Sequence, residues 1–223
     1  VKRRRAGGRP VQTAAKKRQF LAKNLRIYFL KREKYCILGV WIFEKDSDKG
    51  GFFMKKILFV ASEAVPFIKT GGLADVVGSL PKCFDKEYFD VRVMIPKYLC
   101  IKEQWRNGMQ YVNHFYMDYL GQSRYVGILQ YVYEGVTFYF IDNESYFCGD
   151  KPYGDWYNDL EKFAFFSKAA LSALPVIGFR PDVVHCHDWQ TGLIPVHLKD
   201  KFHDGEFFAS MKSVITIHNL KFQ

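Results

Sequence analysis

The feature that most constrains this chain lies at residues 55–62, where Lys55-Lys56 runs into Ile57-Leu58-Phe59-Val60-Ala61-Ser62. An unbroken apolar run of strand length has no polar alternation to turn towards water, so both faces of the strand need cover. A parallel sheet layered by helices provides it. The following residues suit that architecture. Residues 73–80 have a helical pattern that Pro81 is expected to end, because proline removes a helix donor and crowds the preceding turn. Residues 90–96 read as a second buried strand. Residues 110–141, rich in Tyr, Val and Phe, read as antiparallel strands or hairpins inserted beside the main sheet. Asn158 and Glu161 have capping-box spacing, and Leu160, Phe163, Ala164, Leu171 and Leu174 then recur at helical spacing. Pro175, Gly178 and Pro181 are expected to stop that helix. Residues 183–186 read as a third strand, 192–201 as a helix and 213–218 as a fourth strand. Strands alternating with helices define an α/β fold with a doubly wound, mostly parallel sheet.

The net charge of +10 is not shared evenly. Residues 1–53 hold 15 Lys/Arg against 4 Asp/Glu, whereas residues 54–223 hold 18 against 19. The first 34 positions are a polycation that repels itself and buries little, so residues 1–53 are expected to be a basic extension, disordered or no part of the native fold. An arm for nucleic acid would need aromatic interleaving or a recognisable motif, and neither is present. The stretch 35–43 reads equally as a strand or a short helix. No apolar run approaches the length that crosses a bilayer, and the charged start does not fit a secretory leader. Five cysteines at 36, 83, 100, 148 and 186, without a C-x-x-C pair, suit reduced thiols. A cytoplasmic location is expected, with neither membrane nor nucleic acid as partner.

In an open parallel sheet, ligands gather at the carboxyl ends of the strands, where loops and helix N-termini converge. Three such ends are polar here. Lys69-Thr70-Gly71-Gly72 leads into a helix, where two glycines admit a ligand to the backbone and a lysine offers charge to phosphate. The pattern is neither the G-x-x-x-x-G-K-[ST] phosphate loop nor G-x-G-x-x-G, and a merely flexible helix start fits it equally well. His185-Cys186-His187-Asp188-Trp189 places two histidines on one side of a strand. They could serve zinc only with a third or fourth ligand, which the spacing does not supply. Asp188 and Trp189, just past the strand, are placed to bond sugar hydroxyls and to stack on a sugar face. Core histidines and a helix-capping aspartate are the plainer alternatives. Thr216-Ile217-His218-Asn219 is the third polar end.

Three longer blocks carry a resemblance. Residues 69–81 (KTGGLADVVGSLP), 180–193 (RPDVVHCHDWQTGL) and 216–220 (TIHNL) resemble, in order, signature blocks of bacterial glycogen synthases and plant starch synthases. The resemblance spans residues 54–223. It implies two facing Rossmann-like domains with the active site in the cleft between them. The reaction implied is transfer of glucose from ADP-glucose to the non-reducing end of an α-1,4-glucan such as glycogen, with retention and with no metal or other cofactor. By motif position, Lys69 would contact the donor phosphates, Gly71 and Gly72 would admit the ligand to the backbone, and His218 would lie beside the transferred glucose. Asp188, Trp189 and Asn219 would help hold donor or acceptor sugars, and Tyr153 lies in a Lys-Pro-Tyr loop resembling one that reaches the cleft.

The basic extension has no counterpart in the resemblance. The chain is expected to be the N-terminal half of such an enzyme, the C-terminal domain being supplied in cis or from a split gene, and to be inactive alone. Two other readings fit the residues: a glycosyltransferase using a different nucleotide sugar, and a non-catalytic glucan-binding fragment.

Overall fold

The computed structural model describes residues 54–219. The basic extension, with the disorder expected of it and the undecided stretch 35–43, lies outside the described residues. Their strands are β1 (Lys55–Val60), β2 (Phe89–Pro96), β3 (Gln110–Tyr119), β4 (Gln122–Tyr133), β5 (Val136–Asp142), β6 (Val183–His187) and β7 (Lys212–Thr216). The helices are α1 (Gly72–Ser79), α2 (Glu103–Arg106), α3 (Glu144–Phe147), α4 (Trp156–Val176) and α5 (Leu193–Asp200), with 3-10 turns at Leu80–Cys83 and Trp189–Thr191.

All seven strands share one sheet, in the order β3-β4-β5-β2-β1-β6-β7. The five from β5 to β7 pair in parallel, as expected. The tyrosine-rich segment does not sit beside this sheet but within it. β3, β4 and β5 form an antiparallel meander whose last strand also pairs in parallel with β2. Its two hairpins close at Leu120-Gly121 and Glu134-Gly135, all four residues having positive φ, the conformation that matches strand twist in two-residue loops.

β1 lies between β2 and β6, and Ile57, Leu58, Phe59 and Val60 are each at most 1% exposed. This is the double-sided burial that its apolar run requires. Phe67, in the loop after β1, packs edge-on against Phe138 and Phe140 of β5. Helix α4 covers the other face of the meander, with Phe165 against Tyr119 and Ser172 on Met117.

The ends of α4 differ from the sequence reading. The N-cap is Asp155, whose carboxylate accepts from the Asn158 N–H at 3.4 Å, and Glu161 accepts instead from the Tyr146 hydroxyl at 2.9 Å. Asp155 precedes nearly one extra turn, Trp156 to Asn158, so capping there keeps more of the helix bonded. Pro175 does not stop the helix but sits in its last turn, where it forgoes its own bond to the carbonyl four residues back and little helix follows to be disturbed. Gly178 ends it, at φ 63°. Phe179 N–H donates to Leu174 C=O at 3.1 Å and Gly178 N–H to Pro175 C=O at 3.2 Å, the paired bonds of a Schellman motif.

β1 continues to β2 on one side, whereas β6 arrives on the other. The connections therefore diverge between β1 and β6, and in open α/β sheets such a switch point is where the ligand crevice forms, at the carboxyl edge.

Candidate functional site

The crevice is lined by the segments that follow β1, β6 and β7. Past β1, Ser62 is fully buried and Glu63 is 2% exposed. A buried carboxylate needs hydrogen-bond donors. Glu63 finds two in Thr70, whose N–H donates at 2.5 Å and whose hydroxyl donates at 2.7 Å to the same oxygen. These bonds fold the 63–72 loop back over the strand end and set the start of α1. Gly71, the N-cap of that helix, supplies no side-chain cap. The first-turn N–H groups thus keep their donor capacity and partial positive charge for a ligand. A Cβ built on Gly72 meets nothing within 4 Å, so the protein's own packing does not demand a glycine there.

Lys69 is exposed and pairs with Asp75, its ammonium donating to both carboxylate oxygens at 2.7 and 2.8 Å. Tyr153 is half-buried. Its hydroxyl lies 2.7 Å from the Ser62 hydroxyl, which fixes the 148–155 loop on the end of β1. Burial, and secondarily the Glu63 carboxylate, push its pKa above the ordinary tyrosine range, so the phenol stays protonated.

Past β6, Asp188 is 7% exposed and adopts φ 58°, ψ −176°, a conformation that L-residues avoid. Such strain, about 1–3 kcal/mol, persists where surrounding bonds fix it. The Asp188 N–H donates to Thr216 C=O at 2.9 Å, and its carboxylate accepts from the His218 N–H at 2.6 Å. Asp188 thereby ties the segment after β7 to the end of β6. Trp189 packs its ring on Trp156 at 5.1 Å and edge-on against Phe163 at 5.3 Å. Phe163 also lies 5.9 Å from Tyr153.

The His218 Nε2 atom lies 2.9 Å from His187 Nδ1. His187 is fully buried and stacks on His185 at 4.3 Å and on Phe59 at 5.3 Å. His185 Nε2 lies 2.7 Å from the Thr216 hydroxyl. Burial lowers the pKa of all three histidines, that of His185 to about 4, so the cluster is neutral near pH 7. The Asp188 carboxylate opposes this shift at His218.

Of the residues singled out in the sequence, Tyr153, Asp188, Trp189 and His218 therefore join one connected set. Lys69 and the two glycines flank Thr70 on the loop that Glu63 holds. Asn219 follows His218 directly and is exposed. Sequence reasoning overlooked Glu63 and Ser62, although an acid following an apolar strand run was a usable signal. It also weighed His187 only as a metal ligand or a core residue. Among the described residues, no group of three or more His, Cys, Asp or Glu could hold a metal ion, and no helix is long and apolar enough to cross a membrane.

Comparison with known proteins bears on the family of the chain. The family described as the starch synthase catalytic domain matches residues 56–223. The glycogen synthase of Lachnospira eligens is 67% identical over 170 residues, which are 76% of this chain and 36% of that protein. The glycogen synthase of Anoxybacillus flavithermus is 51% identical over 168 residues, 75% of this chain and 34% of that protein. Among solved structures, the catalytic domain of starch synthase IV from Arabidopsis thaliana, bound to ADP and acarbose, matches with a TM-score of 0.65 and 29% identity, covering 77% of this chain and 35% of that one. The chain thus spans about a third of the length of the relatives it matches. The match starts one residue into β1 and takes in every element of the sheet, and on that ground the chain belongs to the starch synthase catalytic domain family.

Proposed function

We propose that residues 54–223 form the N-terminal domain of an enzyme that transfers glucose from ADP-glucose to the non-reducing end of an α-1,4-glucan, with retention at the anomeric carbon. The observation that carries this reading is the junction at the carboxyl edge. There Asp188, held in a costly backbone conformation, fixes His218 beside the crevice that also receives Tyr153 and the Lys69–Gly72 loop. The ADP in the Arabidopsis structure supports an adenosine diphosphate donor.

Each group has a role that its surroundings suit. The Lys69–Asp75 pair is about half exposed on both sides, and exposed ion pairs contribute at most about 1 kcal/mol. A diphosphate carries more charge than one carboxylate, so Lys69 can exchange Asp75 for the donor at small cost, while the uncapped start of α1 meets the same phosphates. Glycosyl transfer passes through an oxocarbenium-like state. A neutral His218 is compatible with positive charge growing beside it, whereas an imidazolium would repel that charge. Its backbone carbonyl or its ring can face the sugar. Asp188, Trp189, Asn219 and Tyr153 would hold sugar hydroxyls and ring faces. A second domain, in cis or from a separate chain, would supply the facing wall of the cleft and exclude water on closure.

The test is a chimera in which residues 54–223 replace the matching segment of the Lachnospira eligens glycogen synthase. It is assayed for transfer of labelled glucose to glycogen from ADP-glucose and, in parallel, from UDP-glucose. Transfer from ADP-glucose is expected. A folded chimera that transfers nothing beside an active parent would sink the reading, and preference for UDP-glucose would overturn the donor assignment.

A further inference from the structure

We infer that His187 is a positioning residue: its buried ring donates a hydrogen bond from Nδ1 to His218 Nε2, which fixes the tautomer of His218 and turns its own N–H away from the protein. This deepens the proposed function and rests on its placement of His218 beside the transferred sugar.

The geometry assigns the protons. His187 Nδ1 and His218 Nε2 are 2.9 Å apart, with the two rings inclined by only 17°. Two neutral imidazoles at that distance share one proton-bearing nitrogen and one bare one. His187 decides which, because its other nitrogen, Nε2, is buried with no hydrogen-bond partner among the described residues. Were the His187 proton on Nε2, a buried N–H would be left without an acceptor, a state that native structures rarely tolerate. A bare lone pair there is the milder deficit. The proton therefore sits on Nδ1 and points at His218. His218 Nε2 then accepts, and the single proton of its ring resides on Nδ1.

This is the tautomer that free histidine side chains disfavour, so it has to be imposed. The means of imposing it are visible in the packing. His187 is fully buried and touches the rings of Phe59 and His185, so it has little freedom to swing its Nδ1 aside. Its backbone is fixed as well, the His187 N–H donating to the Thr191 hydroxyl at 2.7 Å and that hydroxyl donating to His187 C=O at 2.9 Å. Asp188 holds the backbone N–H of His218 and His187 holds its ring, so neighbouring residues of one strand end clamp both parts of His218. With Nε2 committed to His187, His218 faces the crevice as a donor from Nδ1 and not as a base.

Nitrogen-15 spectra of the full chain, selectively labelled at histidine and recorded near pH 7.5, read the tautomers directly. In the unaltered chain, His218 is expected to show a pyridine-type Nε2 and a pyrrole-type Nδ1. His187→Leu should return His218 to the Nε2–H form, and His187→Asn, whose amide nitrogen replaces Nδ1, should restore the original pattern. An Nε2–H form in the unaltered chain, or a pattern unmoved by His187→Leu in a folded variant, overturns the inference. Should the leucine variant fail to fold, the unaltered chain and the asparagine variant still decide it. In the chimera, His187→Leu is expected to lower kcat about 2–10-fold with KM unchanged, and His187→Asn to recover it. A tautomer that shifts as described while kcat stays constant would leave the positioning intact and count against His218 acting beside the sugar.

Discussion

The two edges of the sheet handle polar groups in opposite ways. At the amino edge, charges pair near the surface with partners that serve the fold. Asp182 accepts from the Lys56 N–H at 2.8 Å and lies 3.5 Å from the Lys55 ammonium, and Asp90 takes a two-pronged bond from Arg92 at 2.9 and 3.1 Å. At the carboxyl edge, polar groups are buried. Ser62 and Glu63 follow β1, Asn143 follows β5, and His187, Asp188, Gln190 and Thr191 end or follow β6. Burying such groups weakens a fold unless every one is satisfied, and His187 Nε2, Gln190 Oε1 and Asn143 Oδ1 have no partner among the described residues. A sequence selected for stability alone would place apolar residues there, as it does along the middle of β1. The difference teaches that the amino edge is arranged for stability, while the carboxyl edge gives up stability in the way the proposed ligand site requires.

The largest expected effect tests whether the carboxyl edge does weaken the fold. His185 has its pKa lowered by burial from 6.5 to about 4. Between those values the unfolded chain binds a proton that the folded one refuses, so stability is complete above about pH 6.5 and drains as pH falls towards 4. At about 1.4 kcal/mol per unit, the loss from this residue approaches about 3 kcal/mol. His187 and His218, whose values also lie low, act in the same direction. Urea unfolding at pH 7.5, 6 and 5 should show the decline, and His185→Gln should flatten it. An identical slope in the variant would remove His185 as a cause of the decline.

Next comes Lys69→Ala in the chimera. A charge-assisted hydrogen bond to phosphate is worth roughly 1.5–3 kcal/mol, which is about 10–150-fold in kcat/KM for ADP-glucose. The melting temperature should barely move, because the exposed pair with Asp75 contributes little. The reverse result, normal kinetics with a lowered melting temperature, would make Lys69 a structural residue and blur the contrast between the edges.

Asp182→Ala addresses the amino edge. It leaves the Lys56 N–H without its acceptor and removes a weak ion pair, a loss of about 1–2 kcal/mol. In a domain of this size that lowers the melting temperature by about 2–8 °C. Transfer by the chimera at a temperature well below the transition should be unchanged. A kinetic defect without a stability defect would show that the amino edge also reaches the chemistry.

Much of the stability arrangement was legible in the sequence, because it is local. The apolar run of β1, the strands β2 and β6 and the helical spacing of α4 all follow from periodicity. The polar strand ends could be read too, as could the blocks that resemble a known family. What eluded the sequence depends on pairing at a distance. Nothing in residues 110–141 indicates that β5 joins β2, since a strand carries no label for its neighbour. Asp155 and Asn158 are both good caps, and the helix takes the earlier one. The His187–His218 bond links residues 31 apart, and the Ser62–Tyr153 bond residues 91 apart. The residues of the site could thus be found as separate points, while the bonds that connect them required the fold.

The smallest expected effect sharpens the comparison most, because one helix contains both kinds of glycine. Gly78 is there for packing. A Cβ on it would collide with the side chain and the carbonyl of Val65, so Gly78→Ala must push α1 off the 64–68 loop and destabilise the fold. Gly72 has no such neighbour, its φ is not among the positive values of the chain, and it occupies the first position of α1. Alanine there restricts the unfolded chain and suits a helix, so Gly72→Ala should stabilise the protein by about 0.4–1 kcal/mol. Under the proposed function, the same methyl group would stand where the donor phosphates approach the backbone N–H groups, and KM for ADP-glucose should rise. Stability and function would then move in opposite directions at one atom. Equilibrium unfolding of the chain, set beside kinetics of the chimera, measures both. If Gly72→Ala leaves KM unaltered, the open space over α1 is not the donor site, and the carboxyl edge must hold its ligand elsewhere along the crevice.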